Sequence, residues 1–222
     1  MRMARRGRRS RSRPVVVTLG IVVAFGVLVG VAWLSLPRND GPKVLFVGDS
    51  VTFLSGGAID EVFSEADVQI IALPGYTTSE LLPRMRGAMA SPNKPGGARL
   101  RVGLLVGYND IGRGTIATQE LPQLMEAAAE FECAVLLTLP ARPGGETATN
   151  PNIATEKVDL WNARLVEAAA AHDNVHLARD WEEAVNAAEP LQFLDPDGIH
   201  PNKSGGLALA AAYRAAMDRE CV

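Results

Sequence analysis

Hydrophobic positions along the chain fall into two regimes. From Val15 to Leu36 no charged residue occurs, and the apolar run is broken only by Thr18, Gly20, Gly26, Gly30 and Ser35. Wound as a helix it would span about 33 Å, enough to cross a bilayer core. Beyond Pro42 the apolar residues come instead in short runs bounded by turn residues: Lys43–Val47, Val68–Leu73, Leu100–Val106, Ala134–Thr138 and Val175–Ala178. Runs of this length and continuity predict strands buried on both faces of a parallel sheet. Helix-like stretches separate them at Ala58–Ser64, Thr78–Met89, Thr118–Phe131 and Ala154–Ala171, and a last one covers Lys203–Glu220. Such alternation predicts a doubly wound α/β sandwich with a five-stranded parallel sheet.

Charge changes the picture at the amino end. The whole chain carries a formal charge of -3, yet residues 1–14 hold seven Arg and no acid, which leaves -10 for the remainder. A nucleic-acid-binding arm is one reading of Arg2 to Arg13. A basic cluster directly abutting a spanning-length apolar run is better explained by retention of positive charge on the cytoplasmic side, so no nucleic-acid partner is expected. Gly30 and Ala32 offer the small residues that a signal-peptide cleavage site needs, and cleavage would give a secreted protein. Against cleavage stand the length of the run, Trp33 near its outer end as an interfacial anchor, and the lack of a nearby Cys to accept a lipid. The expectation is therefore a basic cytoplasmic tail (1–14), a membrane anchor (15–36), a short linker (37–42) and one outward-facing domain (43–222).

With 47% apolar residues and two Cys, the chain is neither disordered, collagen-like nor a disulfide framework. Cys133 precedes the fourth strand, and Cys221 ends a helix that should run antiparallel to the strands, so both belong at one end of the sheet. A disulfide and two independent thiols are both open. That end is opposite the loops considered next, so either role would be structural.

In doubly wound sheets ligands bind beyond the carboxyl ends of the strands. The segments expected there are polar and glycine-rich: Gly48, Asp49 and Ser50 after the first strand, Pro74, Gly75 and Tyr76 after the second, Gly107 to Asp110 after the third, and Asp195 to His200 after the fifth. A serine hydroxyl is a weak nucleophile until an imidazole accepts its proton, and Ser50 with His200 could form that pair. A carboxylate three residues before the His, Asp197, could hold the other ring nitrogen, with Asp195 as the alternative. The N–H groups of Ser50 and Gly75 and the amide of Asn109 could receive a negative oxygen. Each motif also has a plainer reading: Gly-Asp-Ser could cap the next helix, Gly75 could simply turn the chain, and Asn109 with Asp110 could form another cap.

Taken together, Phe46-Val47-Gly48-Asp49-Ser50, Gly75, Gly107-Tyr108-Asn109-Asp110 and Asp197-Gly198-Ile199-His200 resemble the SGNH hydrolases, the GDSL-like esterase and acyl-hydrolase superfamily. The resemblance runs from about Lys43 to the C-terminus. It implies a flavodoxin-like three-layer α/β/α domain, a triad of Ser50, Asp197 and His200, and an oxyanion hole from Ser50, Gly75 and Asn109. It also implies no metal or organic cofactor. Val51 departs from the Leu that many relatives carry after the serine, at a position that packs rather than reacts.

Other motifs are weaker. Ser91 to Lys94 has Ser-x-x-Lys spacing but lies in a Pro- and Gly-rich loop without accompanying signatures. His172 and His176 are four apart, but Asp173 and Asn174 read as a turn rather than one helix face, which argues against a metal pair. No Gly-x-Ser-x-Gly elbow is present, and Pro140–Ile153 is expected to overhang the site as a rim or to be a plain solvated loop. The resulting expectation is an esterase that removes short acyl groups from a carbohydrate or cell-envelope substrate. The rivals are an acyltransferase built on the same triad and a non-catalytic ligand-binding module held at the membrane.

Overall fold

The computed structural model describes residues 42–90, 100–115, 119–140, 153–189 and 191–222. In chain order the elements are β1 (Lys43–Gly48), α1 (Ser50–Leu54), α2 (Gly56–Val62), β2 (Asp67–Ala72), α3 (Thr78–Ala90), β3 (Leu100–Leu105), α4 (Tyr108–Gly112) and α5 (Glu120–Ala129). They continue with β4 (Cys133–Leu137), α6 (Thr155–Ala169), β5 (Val175–Ala178), α7 (Asp180–Ala187) and α8 (Lys203–Glu220). The five strands form one sheet in the order β2-β1-β3-β4-β5, with every neighbouring pair parallel. The chain steps outward from β1 to β2 and then crosses to the other side for β3. That reversal opens a crevice between the carboxyl ends of β1 and β3, where such sheets take their ligands.

Burial explains which runs became central strands. Every residue of β4 and all but the first of β1 are buried, as continuous apolar runs require when helices cover both faces. The edge strand β2 mixes exposed and half-buried positions. Helix α8 packs with α2 and α7 in one layer, and α3, α5 and α6 pack together in the other, giving a three-layer α/β/α domain. Phe46 of β1 anchors the first interface, its ring edge-on to Phe63 and Tyr213 with centroids 5.0 and 4.9 Å apart. Cys133, the first residue of β4, and Cys221, just after α8, are joined in a disulfide with Cα atoms 5.6 Å apart at the amino edge of the sheet. Of the two states open from the sequence, this one also closes the end of the sheet remote from the crevice.

The structure differs from the expected elements in three places. Helices α1 and α4, of five residues each, stand where loops were expected, and α7 separates β5 from the Asp195–His200 segment, which therefore does not follow the fifth strand directly. The tail, the apolar segment at 15–36, the linker up to residue 41, Ser91–Lys94 and the interior of Pro140–Ile153 lie outside the described residues. Among the described residues no helix is long and apolar enough to cross a membrane.

Candidate active site

Ser50 is the first residue of α1, at the carboxyl end of β1. The first backbone N–H groups of any helix lack an intrahelical acceptor, so the Ser50 N–H is free to meet a ligand. The preceding Asp49 is the N-cap, and its Oδ1 accepts from the Val51 N–H at 3.0 Å. The capping reading of Gly-Asp-Ser holds, and the cap fixes the turn that carries the Ser50 hydroxyl.

His200 reaches Ser50 from a pinched loop between α7 and α8. Leu194 and Pro201 form an antiparallel bridge at its base, the Asp195 N–H donates to the His200 carbonyl at 2.8 Å, and the Asn202 N–H donates to the Phe193 carbonyl at 3.1 Å. Asn202 also caps α8, accepting from the Gly205 N–H at 3.0 Å, so loop and helix are set by one residue. Held this way, His200 places Nε2 2.8 Å from Ser50 Oγ and Nδ1 2.5 Å from Asp197 Oδ2. An ionised carboxylate can only accept, so Nδ1 carries the proton and Nε2 is left as an acceptor for the serine hydroxyl. Asp197 Oδ1 accepts from the N–H groups of Ile199 and His200 at 2.9 and 3.0 Å. Partial burial pushes the Asp197 carboxyl up, but the hydrogen bonds from the His200 ring and from these two N–H groups outweigh it and hold the group below its ordinary value. Asp195 instead meets His200 through its main chain.

The two other sequence candidates lie on the same edge. Gly75 adopts φ +82°, a left-handed conformation that glycine takes without a steric cost, within a turn in which the Tyr76 N–H donates to the Leu73 carbonyl at 3.3 Å. The Leu73 N–H in turn donates to the Gly48 carbonyl at 3.3 Å, tying this turn to the end of β1. Asn109 is on α4, whose N-cap Gly107 has φ +133° and lies so close to Trp161 that a Cβ there would come within 2.2 Å of the indole Nε1. Asn109 Nδ2 donates to the Tyr76 carbonyl at 3.0 Å and faces Asp49 Oδ2 at 3.3 Å. The structure therefore gathers Ser50, Gly75, Asn109, Asp197 and His200 at the β1/β3 crevice.

Three neighbours complete the setting: the sequence named Asp49 and Asp110 only as possible caps, and Arg113 not at all. Asp49 is fully buried, and desolvation pushes its carboxyl up to about 7 against the lowering influence of the Val51 N–H and of His200. Asp110 is a cap as read, though of the other helix: it accepts from the N–H and hydroxyl of Thr78, the first residue of α3, at 3.0 and 3.1 Å. Burial raises its carboxyl as well, against these bonds from Thr78. Arg113, one turn beyond Asn109, donates to the Gly75 carbonyl at 2.7 Å. The signal available for all three was their position in the loops at the catalytic edge. The bonds of Asp110 to Thr78, of Asp49 to Asn109 and of Arg113 to Gly75 all join residues distant in sequence, and no local pattern names those pairings.

Residues 46–206 match the GDSL-like lipase/acylhydrolase family. No curated protein matches the chain. Among solved structures, it is similar to a GDSL-like lipase from Bacteroides thetaiotaomicron (18% identity, TM-score 0.63, covering 85% of this chain and 93% of that one). It is also similar to the C-terminal catalytic domain of Streptococcus pneumoniae peptidoglycan O-acetyltransferase A (19%, 0.62, 82% and 95%). A third likeness is to an acetyl xylan esterase from Geobacillus stearothermophilus (18%, 0.58, 83% and 99%). At these identities the structural likenesses speak for the fold alone, and the match over residues 46–206 speaks for the family. Both describe the same molecule: the chain belongs to the GDSL-like lipase/acylhydrolase family and is an SGNH-type hydrolase.

Proposed function

We propose that the protein is a serine esterase that cleaves short acyl groups from oxygen esters of a carbohydrate or other cell-envelope molecule, through an acyl-Ser50 intermediate. The observation that carries this reading is the continuous chain Ser50 Oγ to His200 Nε2 at 2.8 Å and His200 Nδ1 to Asp197 Oδ2 at 2.5 Å. In the first half-reaction Ser50 Oγ bonds to the ester carbonyl carbon while its proton passes to His200 Nε2. The carbonyl oxygen becomes an oxyanion, received by the N–H groups of Ser50 and Gly75 and by Asn109 Nδ2. Collapse of this intermediate breaks the bond to the leaving oxygen, which takes the proton from His200. Water then repeats the sequence on the acyl-serine and releases the acid.

Asn109 Nδ2 already faces two acceptors, and the 3.3 Å contact to Asp49 is the longer and weaker, so it is the one that an oxyanion would displace. The carbohydrate part of the reading draws on the acetyl xylan esterase and the peptidoglycan O-acetyltransferase among the similar structures. The second of these also favours a rival within the enzyme class, in which a sugar hydroxyl rather than water takes the acyl group. The proposed setting is outside the cytoplasm, tethered through residues 15–36, or secreted if that segment is removed. It is supported by the Arg-flanked apolar run and by a disulfide, which persists in oxidising compartments.

The test is to treat the full-length chain with a serine-directed fluorophosphonate and compare intact masses of wild type, Ser50→Ala and His200→Ala. Labelling confined to the wild type supports the reading, and a folded wild type that takes no label sinks it. Acetylated sugars with and without added acceptor alcohols then separate hydrolysis from transfer.

A further inference from the structure

Of the proposed oxyanion donors, Gly75 is the one least restrained by its own chemistry. It has no side chain, sits at φ +82°, and belongs to a connecting loop rather than to a strand or helix. A donor is useful to a developing oxyanion only if it is already aimed when the charge appears. Something outside the loop must therefore hold the peptide units around Gly75.

The holding groups come from α4 and the residue just after it. Asn109 and Arg113 are four residues apart, so they share one face of the helical turn, and the Arg113 N–H donates to the Asn109 carbonyl at 3.0 Å. From that face they take two successive carbonyls of the facing loop: Arg113 Nη2 donates to the Gly75 oxygen at 2.7 Å, and Asn109 Nδ2 donates to the Tyr76 oxygen at 3.0 Å. A charged donor at 2.7 Å makes the stronger of the two bonds. The guanidinium is aimed by Glu80 of α3, whose Oε2 lies 3.4 Å from Arg113 Nη1. That same Oε2 accepts from the Thr77 N–H and hydroxyl at 2.8 and 2.9 Å, so Glu80 belongs to the start of α3 and cannot follow the arginine if it swings. The loop's other side is held by the bond from the Leu73 N–H to Gly48.

We propose that Arg113 is a positioning residue for the oxyanion site: its guanidinium, bonded to the Gly75 carbonyl, holds the Gly75–Tyr76 peptide unit, and through the Gly75 Cα it limits the swing of the adjoining unit that carries the Gly75 N–H, so that this N–H and the Asn109 amide keep a fixed spacing. This rests on the reading of Gly75 as an oxyanion donor. Arg113 touches no reacting atom. It acts through the loop, and because its side chain is about half exposed it contributes little to folding.

The test measures kcat and KM of the full-length chain on p-nitrophenyl acetate for wild type, Arg113→Ala, Arg113→Lys, Asn109→Ala and the Arg113→Ala/Asn109→Ala pair, together with melting temperatures and fluorophosphonate labelling. Removing a whole oxyanion donor costs about a hundredfold or more in kcat, and loosening one costs less, so Arg113→Ala is expected to lose about tenfold. KM and melting temperature should stay near wild type. Arg113→Lys should recover part of the loss, because an ammonium can still donate to one carbonyl. The pair should lose less than the product of the two single losses, since both side chains hold the same loop. An unchanged kcat in Arg113→Ala overturns the proposal. So does a loss confined to KM, which would make Arg113 a substrate contact, and so does a loss that tracks the melting temperature. A wild type that neither turns over nor labels at Ser50 defeats the underlying reading of the site and the proposal with it, whereas a labelled wild type with an indifferent Arg113 defeats the proposal alone.

Discussion

Asp49, one residue before the serine and wholly buried, faces the side-chain amide of Asn109 across 3.3 Å. An amide placed against a carboxylate and the Tyr76 carbonyl must present its NH2 group to both, because the alternative orientation would set oxygen against oxygen. The Tyr76 carbonyl and the Asp49 carboxyl together therefore fix the orientation of the Asn109 amide.

That arrangement has a pH signature in stability. Burial raises the folded-state value of Asp49 from 3.8 to about 7, so between those values the folded protein holds a proton that the unfolded chain releases. Stability contributed by this group is fully present below 3.8 and declines as pH rises toward 7. Asp49→Asn cannot titrate. Its stability relative to wild type should improve from about pH 4 to about pH 8 by up to about 4 kcal/mol, the scale set by a shift of about three units. Urea denaturation at several pH values checks this. A constant difference across the range would show that Asp49 does not titrate there.

Asp197 has the opposite sign. Its carboxyl is held below the ordinary value, so the stability it contributes is present above that value and is lost only as pH falls through the lower one. Asp197→Asn should cut kcat by about a hundredfold to ten-thousandfold, because an amide can no longer select the Nδ1–H tautomer, while Ser50 keeps its place. Asp195→Asn should leave kcat near wild type, because Asp195 meets His200 through its main chain. Steady-state kinetics of the two variants decide between the carboxylates, and a damaging Asp195→Asn beside a harmless Asp197→Asn would reverse the assignment.

Gly107→Ala tests the support of α4. A methyl group there meets Trp161 within 2.2 Å at a φ of +133°, so either the indole or the backbone must move, and Trp161 Nε1 would lose its 3.0 Å bond to the Val106 carbonyl. A loss of about 3 kcal/mol or more is expected, together with reduced activity through Asn109. Gly87→Ala is the control: Gly87 is exposed within α3, a methyl added there would meet nothing within 4 Å, and the change should stabilise by about 0.5–1 kcal/mol. Equilibrium denaturation of both variants reads the contrast.

Replacing Cys133 and Cys221 together by Ser opens a bridge that spans 88 positions. Stability should fall by about 2–5 kcal/mol, the upper part of that range being what a loop of this length gives through the freed unfolded chain. Because the bridge lies at the amino edge of the sheet, kcat of the folded variant should stay near wild type. A tenfold loss of kcat without unfolding would mean that the two edges are coupled.

What could be read along the chain was whatever local chemistry announces. Five apolar runs bounded by turns marked the strands of a parallel sheet, and β5 and α8 stand within the limits expected of them. Ser50, Gly75, Asn109, Asp197 and His200 were legible because each lies in a polar, glycine-rich segment expected at the carboxyl edge, and because their order matches a family pattern. The five-residue helices α1 and α4 were not legible, since fewer than two turns leave no 3.6-residue period to detect. Helix α7 was missed because Trp181 and Glu182 are its only buried positions, too few to trace an apolar face. Only the tertiary structure decided that Asp49 would be stripped of water, that Asp110 would cap α3 from thirty-two residues away, and that Arg113 would reach the Gly75 carbonyl. Burial and long-range hydrogen bonding depend on which loops the sheet order brings side by side, and that order, β2-β1-β3-β4-β5, is a property of packing rather than of any short stretch of residues.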